Sequence, residues 1–127
     1  MRIQKILAIG ALCAATAIPV FAAAPSPNGL FVDSYGTSFE FSLCGDGTDL
    51  CGILVNLEGE SATEENLAFV GRQVMQAEQV APNQWKGELA AGGISAEATV
   101  TMTSPDTIDI QGCRAGIFCQ TLTYTRA

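Results

Sequence analysis

Apolar and polar residues alternate along most of this chain beyond residue 28. A period of two is typical of β-strands that bury one face and expose the other. Turns rich in Gly, Pro, Asn and Asp separate the alternating runs. The pattern therefore predicts about eight strands, at residues 29–33, 38–43, 53–57, 73–80, 84–89, 98–103, 108–111 and 118–126.

One stretch between the third and fourth strands departs from this alternation. Residues 61–64 read Ser-Ala-Thr-Glu, which has the form of a helix capping box, and apolar residues follow at helical spacing at positions 67, 70 and 74. Gly71 interrupts the helical pattern. We predict a short helix over residues 62–68 with a strand after it, and a single helix continuing through Glu78 is the alternative.

Short strands joined by hairpin-length connections favour an all-β fold, a small antiparallel up-and-down barrel, because closure leaves no strand edge exposed. A β-sandwich is the alternative. Side chains nearly fill the interior of a barrel with so few strands. Three inward candidates are nevertheless small, Gly87, Ala96 and Ala98, so the pattern also allows a modest cavity.

The first 22 residues have the pattern of a secretory signal peptide. Arg2 and Lys5 precede an apolar core at residues 6–20, and small residues follow it. Cleavage after Ala22 would leave one domain over residues 23–127, in the periplasm or secreted. Cys13 lies in the apolar core and would be lost with the signal. An uncleaved anchor helix is the alternative.

The charge balance of the mature chain limits its partners. After the predicted cleavage, 13 acidic and four basic residues remain, so the net charge is −9. The basic residues are Arg72, Lys86, Arg114 and Arg126. Nucleic acids and anionic membranes would be repelled. We therefore expect no nucleic-acid partner and no stable membrane insertion once the signal is removed, while the sequence leaves any protein partner unidentified.

Four cysteines of the mature chain fall in two short pairs, each around a Gly-containing turn. In an exported chain of this size such cysteines indicate disulfides formed in an oxidising compartment. Four cysteines allow three connectivities. The short separations favour the two local pairs, Cys44–Cys51 and Cys113–Cys119, each across its own hairpin.

No set of residues in the sequence predicts catalysis, a cofactor or a metal. Nucleophilic catalysis needs a base, normally histidine, and the chain has none. A pair of carboxylates, such as two among Glu40, Glu88 and Glu97, would have to point inward, whereas their alternation with apolar neighbours places them in solvent. Asp46 and Asp49 lack the spacing of a calcium loop and are expected to be turn residues. We predict that the protein is not an enzyme.

Four aromatic residues, Phe39, Phe41, Trp85 and Phe118, are candidates either for a ligand pocket or for the core, and core is expected for most of them. Two functions remain. The first is binding of a small apolar or amphipathic ligand inside the barrel. The second is a non-catalytic interaction or structural role in the envelope or outside the cell, with a filled barrel.

Several motifs occur in an ordered series. They are a Cys-Gly and a Leu-Cys-Gly-Ile within residues 44–53, Asn-Gln-Trp-Lys-Gly at residues 83–87, and a run from Gly-Cys to Tyr-Thr-Arg within residues 112–126. Residues 29–31, Gly-Leu-Phe, look like a variant of the Gly-x-Trp opening of lipocalin-like barrels. In these motifs the chain resembles a family of small exported bacterial proteins, domain of unknown function 2147. The resemblance implies a lipocalin-like barrel, export and an undetermined activity.

The resemblance also implies how the barrel closes. In lipocalin-like barrels an aromatic residue at the start of the first strand packs near an arginine on the last strand. The corresponding residues here are Phe31 and Arg126, with Tyr124 on the same strand face as Arg126. Phe31 and Tyr124 stand where the related motifs usually have Trp. We expect Arg126 to be a structural plug rather than a ligand-binding cation.

Overall fold

The computed structural model describes residues 26–92, 94–115 and 117–127 of the chain. In these residues eight antiparallel strands follow one another in chain order, and the first pairs with the last to close a barrel. The predicted all-β barrel is confirmed, and the sandwich alternative is wrong. The elements are β1 Gly29–Val32, β2 Ser38–Cys44, β3 Asp49–Asn56, a 3-10 turn Gly59–Ser61, α1 Glu64–Leu67, β4 Gln73–Ala81, β5 Gln84–Ala91, β6 Ile94–Ser104, β7 Thr107–Arg114 and β8 Phe118–Arg126.

The predicted signal peptide, residues 1–22, and Cys13 lie outside the described residues. No helix in the described residues has the length and apolar character needed to cross a membrane.

Alternation along the strands produces the two faces of the barrel. In β2, for example, Phe39 and Phe41 are buried, while Glu40 and Ser42 are exposed. Several strands are longer than their apolar runs, because hairpin pairing continues into the polar residues beside the turns. Thus β3 begins at Asp49, which pairs with Cys44, although the alternating run of that strand begins only at residue 53.

The helix of the β3–β4 connection begins later than its sequence signal. Thr63 is the N-cap, and its side-chain oxygen accepts a hydrogen bond of 3.1 Å from the Asn66 N–H. The predicted capping box, which begins at Ser61, is therefore wrong, because Ser61 lies in the preceding 3-10 turn. The short helix itself is present, and Asn66 is its buried residue.

The alternative of one helix through Glu78 is wrong. Gly71 has a φ of +90°, and its N–H donates to the Leu54 carbonyl oxygen at 2.7 Å. That bond joins the chain to β3 before β4 begins, and β4 then includes Glu78. A glycine with positive φ ends a helix because other residues rarely adopt this conformation.

The core is one cluster inside the barrel. The residues that are at most 1% exposed include side chains from six of the eight strands, namely Phe31, Phe41, Leu50, Met75, Ala77, Val100 and Ile108. Partly buried Leu57, Phe69, Leu89 and Leu122 pack against this cluster. Leu57 and Phe69 come from the β3–β4 connection, so this connection covers part of the core.

Candidate functional site

The barrel interior is the first candidate site, and aromatic rings fill its centre. Phe39 stacks on Phe41 with ring centroids 5.6 Å apart, and Phe41 lies 5.8 Å from Phe31. Tyr124 meets Phe39 edge-on at 5.6 Å. All four residues are at most 4% exposed. Rings at these separations are in contact, so the centre of the barrel is occupied by the protein's own side chains.

Trp85 fixes the first disulfide hairpin to the same core. The residue is 3% exposed, and its indole N–H donates to the Thr48 carbonyl oxygen at 2.8 Å. Thr48 lies in the turn between β2 and β3. A buried indole N–H needs such a partner, and the turn provides it while covering this end of the barrel. Phe39, Phe41 and Trp85 are thus core residues.

Phe118 does not lie in a pocket or in the core, and its expected placement there is wrong. The side chain is 70% exposed. Phe118 has the same strand parity as Leu122 and Tyr124, but it pairs with Arg114 at the far end of the β7–β8 hairpin. The β6–β7 ladder ends at Cys113, and β1 pairs with β8 only at Thr125 and Arg126. The alternation continues to Phe118, whereas β1 and β6 do not extend far enough to cover its side chain.

Both predicted local disulfides are present. Cys44 and Cys51 are joined across the β2–β3 turn, with Cα atoms 5.9 Å apart. Cys113 and Cys119 are joined across the β7–β8 turn, with Cα atoms 4.0 Å apart. The first bridge includes the buried Cys51, while the second holds the protruding hairpin of Phe118. Each bridge constrains a hairpin without joining distant parts of the barrel.

Arg126 lies where the family resemblance implies, against Phe31. Its guanidinium carbon is 4.6 Å from the centroid of that ring. Its nitrogens donate to the carbonyl oxygens of Ser26 at 3.0 Å, Asn28 at 2.7 Å and Pro105 at 2.7 Å, and an ion pair of 3.2 Å joins it to Asp106.

Gly29 makes room for the Arg126 guanidinium. A Cβ at residue 29 would lie 2.6 Å from the nearer terminal nitrogen of Arg126, and Gly29 has a φ of +133°, which other residues rarely adopt. The family resemblance indicates the contact between Arg126 and Phe31, but sequence reasoning missed the three carbonyl contacts. They depend on where the chain before β1 and the β6–β7 turn meet, and no local sequence signal indicates this.

Replacing Arg126 by Met should destabilise the barrel more than removing its ion pair does. Met retains an apolar stem over Phe31 but loses the planar donors that bind three carbonyls, so we expect a loss of about 2 kcal/mol. Asp106→Asn is the matched control, with an expected change within about 0.5 kcal/mol, because exposed ion pairs contribute little. Urea unfolding followed by Trp85 fluorescence measures both. Equal losses from the two variants would contradict the assigned role of the guanidinium.

Tyr124 is a buried side chain of β8 that lies near Asp33, in the turn after β1. Burial raises the pKa of Tyr124, and the nearby Asp33 raises it further through its charge and a hydrogen bond. The raised folded-state pKa means that stability is complete below the unfolded-state value of about 10 and falls as pH rises above it.

The alkaline loss of stability should disappear in Tyr124→Phe, because the phenol that must stay protonated in the fold is then absent. Tyr35→Phe is the control, since Tyr35 is 65% exposed. Urea midpoints at a series of pH values from neutral to alkaline measure the effect. An unchanged alkaline slope in Tyr124→Phe would show that other groups cause the loss.

The catalytic candidates and Asp46 lie on the outside, whereas Asp49, expected to be a turn residue, is half-buried at the first position of β3. Glu40, Glu88 and Glu97 are all exposed. Asp46 accepts hydrogen bonds from the Thr48 N–H at 3.0 Å and hydroxyl at 2.6 Å, and the hydroxyl contact is the main cause that lowers the Asp46 pKa. This contact makes Asp46 part of the turn. Among the described residues, no group of three or more His, Cys, Asp or Glu side chains is arranged to hold a metal ion.

Two open depressions lie on the outer surface. One, of about 510 Å³, runs along β4 and β5 and is lined by residues that include Glu78, Lys86 and Glu88. The other, of about 420 Å³, lies beside β6 and β7 and is lined by residues that include Glu97 and Arg114. Their charged walls do not suit an apolar ligand, which prefers an enclosed apolar site.

Comparison with known proteins finds no matching family model, no matching curated protein and no matching solved structure. The resemblance to domain of unknown function 2147 therefore stays a prediction. The two features that bear on function are the filled barrel and the disulfide-linked hairpin that protrudes from it.

Proposed function

We propose that this protein is an exported, non-catalytic interaction protein of the periplasm or the extracellular space, and that its partners contact the outside of a filled barrel. The observation that carries the proposal is the packed aromatic centre formed by Phe31, Phe39, Phe41 and Tyr124. A barrel whose interior is occupied by its own side chains has only its outer surface to offer to other molecules.

Export is supported by two independent features. The described residues contain two disulfides, which fit an oxidising compartment. The first 22 residues have the pattern of a signal peptide. A non-catalytic role is supported by the absence of histidine from the whole sequence and by the solvent-facing positions of Glu40, Glu88 and Glu97.

Binding of a small apolar or amphipathic molecule inside the barrel stays a prediction and is less well supported. A ligand would have to displace part of the aromatic cluster. Each buried aromatic side chain contributes about 1.5–3 kcal/mol through its burial, so displacing even one ring costs a large part of the affinity of a weak ligand.

The protruding β7–β8 hairpin is the most distinctive part of the outer surface. We call Arg114, Ala115, Ile117 and Phe118 the hairpin tip. Ile117 is 74% exposed and Phe118 is 70% exposed, and the Cys113–Cys119 bridge constrains the backbone around them. Large apolar side chains held on a constrained loop are suited to protein contacts, because little conformational entropy is lost when they bind.

Photo-crosslinking in the producing cells tests this proposal. A benzophenone amino acid placed at Phe118 should give an adduct of higher mass than the single chain. The matched control is the same amino acid at Val80, which is 52% exposed but lies near the β4–β5 turn. Protein adducts from position 118 and none from position 80 support an outer-surface contact at the tip. Equal yields from both positions, or none from position 118, would contradict it.

A further inference from the structure

In the described residues, strand β8 is paired along nearly its whole length on one side only. On that side β7 pairs with every residue from Phe118 to Thr125. On the other side β1 pairs only with Thr125 and Arg126, because β1 ends at Val32 and the chain turns away into β2. Within the described residues, therefore, β8 has a free edge beyond the end of β1 at Val32.

Backbone hydrogen bonds show which groups point to this edge. The Arg126 N–H donates to Asp106, on the β7 side, and the Ala127 N–H donates to Leu30, on the β1 side, both at 2.8 Å. Successive residues of a strand direct their backbone groups to opposite sides. The N–H and C=O groups of Cys119, Thr121 and Thr123 must then point away from β7, beyond the end of β1. We call these three residues the free edge.

Among the described residues, nothing gives the free edge the protection that exposed edges usually carry. Proteins block such edges with charged residues, proline, bulges or a covering segment. Residues 118–125 contain no charged residue and no proline, although the mature chain is strongly acidic. The β7–β8 ladder continues without a register shift, and Cys119, Thr121 and Thr123 are exposed. The composition, rich in Thr and aromatic residues, favours pairing with another strand.

The most exposed large apolar residues lie at the two ends of this edge. Ile117 and Phe118, in the hairpin tip, are at one end. Tyr35, 65% exposed, lies in the turn that follows β1, at the end where the β1–β8 pairing stops. If two copies pair antiparallel about Thr121, the hairpin tip of each copy is directed toward Tyr35 of the other. This arrangement is self-complementary, as a two-fold interface requires.

We infer that the free edge of β8 pairs with the same edge of a second copy of this chain, forming a two-fold dimer. The inference rests on the proposed function, since it names a partner for the outer surface. With Thr121 opposite Thr121 and Cys119 opposite Thr123, the pairing forms about six backbone hydrogen bonds across the interface. Because each mature copy carries a net charge of −9, dimerisation should strengthen as salt screens their repulsion.

A proline at position 121 should weaken the dimer without disturbing the fold of each copy. The Thr121 N–H faces the free edge, so Thr121→Pro leaves the β7 pairing intact, and proline is tolerated on such edges. It removes a central donor from each copy, so we expect dimerisation at least about tenfold weaker. Thr121→Ala is the matched control, because it retains the N–H and should still dimerise. Sedimentation equilibrium over a range of concentrations measures association, and circular dichroism checks the fold.

Opposite charges at position 121 test the two-fold register. Thr121→Lys and Thr121→Glu each place like charges opposite one another, so each alone should dimerise about threefold more weakly than the unchanged protein. An equal mixture should form heterodimers more tightly than either variant dimerises alone. No partner other than a second copy with Thr121 near the two-fold axis predicts this recovery.

Amide hydrogen exchange is a second test of the same contact between the two β8 edges. The N–H groups of Cys119, Thr121 and Thr123 should become protected as protein concentration rises. The N–H groups of Gln120 and Leu122, which face β7, should be protected at every concentration. Uniform protection of all five, independent of concentration, would overturn the inference.

The two proposals fail in different ways. If the unchanged protein stays monomeric in high salt while crosslinks at position 118 join it to other proteins, self-pairing is refuted and the outer-surface function stands. If it is monomeric and carries a small molecule inside the barrel, both are refuted. A dimer that persists undiminished in Thr121→Pro would also refute pairing through the β8 edge.

Discussion

Replacing Gly87 by alanine should destabilise the barrel by about 3 kcal/mol or more, because the new methyl group has no space to occupy. Gly87 lies in β5 opposite Ala77 of β4. A Cβ at this position would overlap the Gln76 carbonyl oxygen and the Ala77 Cα. These are backbone atoms, so no side-chain rotation can relieve the overlap, and the two strands must separate.

Gly112→Ala is the matched control for this substitution. Gly112 also lies within a strand, but a Cβ there would be 3.7 Å from the Ala96 Cβ, an ordinary contact. We expect the free energy of unfolding of Gly112→Ala to differ from that of the unchanged protein by less than about 1 kcal/mol. Alanine lowers the entropy of the unfolded chain, and this effect acts to stabilise the variant. Trp85 is the single tryptophan, so its fluorescence reports urea unfolding of both variants. Similar midpoints for the two would contradict the close approach of β4 and β5.

Removing both disulfides should leave the protein largely unfolded. Closing loops as short as these contributes about 2–3 kcal/mol each in the chain-entropy model. Their sum is comparable with the lower end of the total stability of a small domain, about 5 kcal/mol. The double variants Cys44→Ala with Cys51→Ala, and Cys113→Ala with Cys119→Ala, separate the two contributions.

The Cys44–Cys51 bridge should contribute the larger share. Cys51 is buried, and the turn that this bridge closes accepts the Trp85 indole hydrogen bond from Thr48. The Cys113–Cys119 bridge instead closes a hairpin whose tip lies outside the core. Loss of the first should therefore shift Trp85 fluorescence in the folded state, whereas loss of the second should not. Equal stability losses with unchanged fluorescence in both variants would contradict this difference.

Much of the fold was predictable because strand alternation is a local property. The period of two along residues 38–43 and 98–103 corresponds to one buried face. It therefore predicts the strands whose side chains form the core. Local disulfide pairing was predictable for a similar reason, since each pair lies across one hairpin. Gly71 gave the end of the helical segment, because a glycine in that position stops the helical pattern.

Features that depend on strand register were not predictable. Phe118 continues the alternation of β8, but whether it is buried depends on how far β1 and β6 extend beside it. The same register leaves Thr121 at a free edge. The Arg126 contacts with Ser26 and Pro105 join segments that are far apart in sequence, so no spacing rule indicates them. Such features follow from closure of the whole barrel.

Native mass spectrometry of the protein purified from its own host tests the filled barrel most directly. The packed interior predicts a monomer or dimer whose mass equals that of the disulfide-bonded chains alone. The same sample under denaturing conditions gives the covalent mass for comparison. A difference that corresponds to one small apolar molecule per chain, lost on denaturation, would contradict the filled barrel and favour ligand binding.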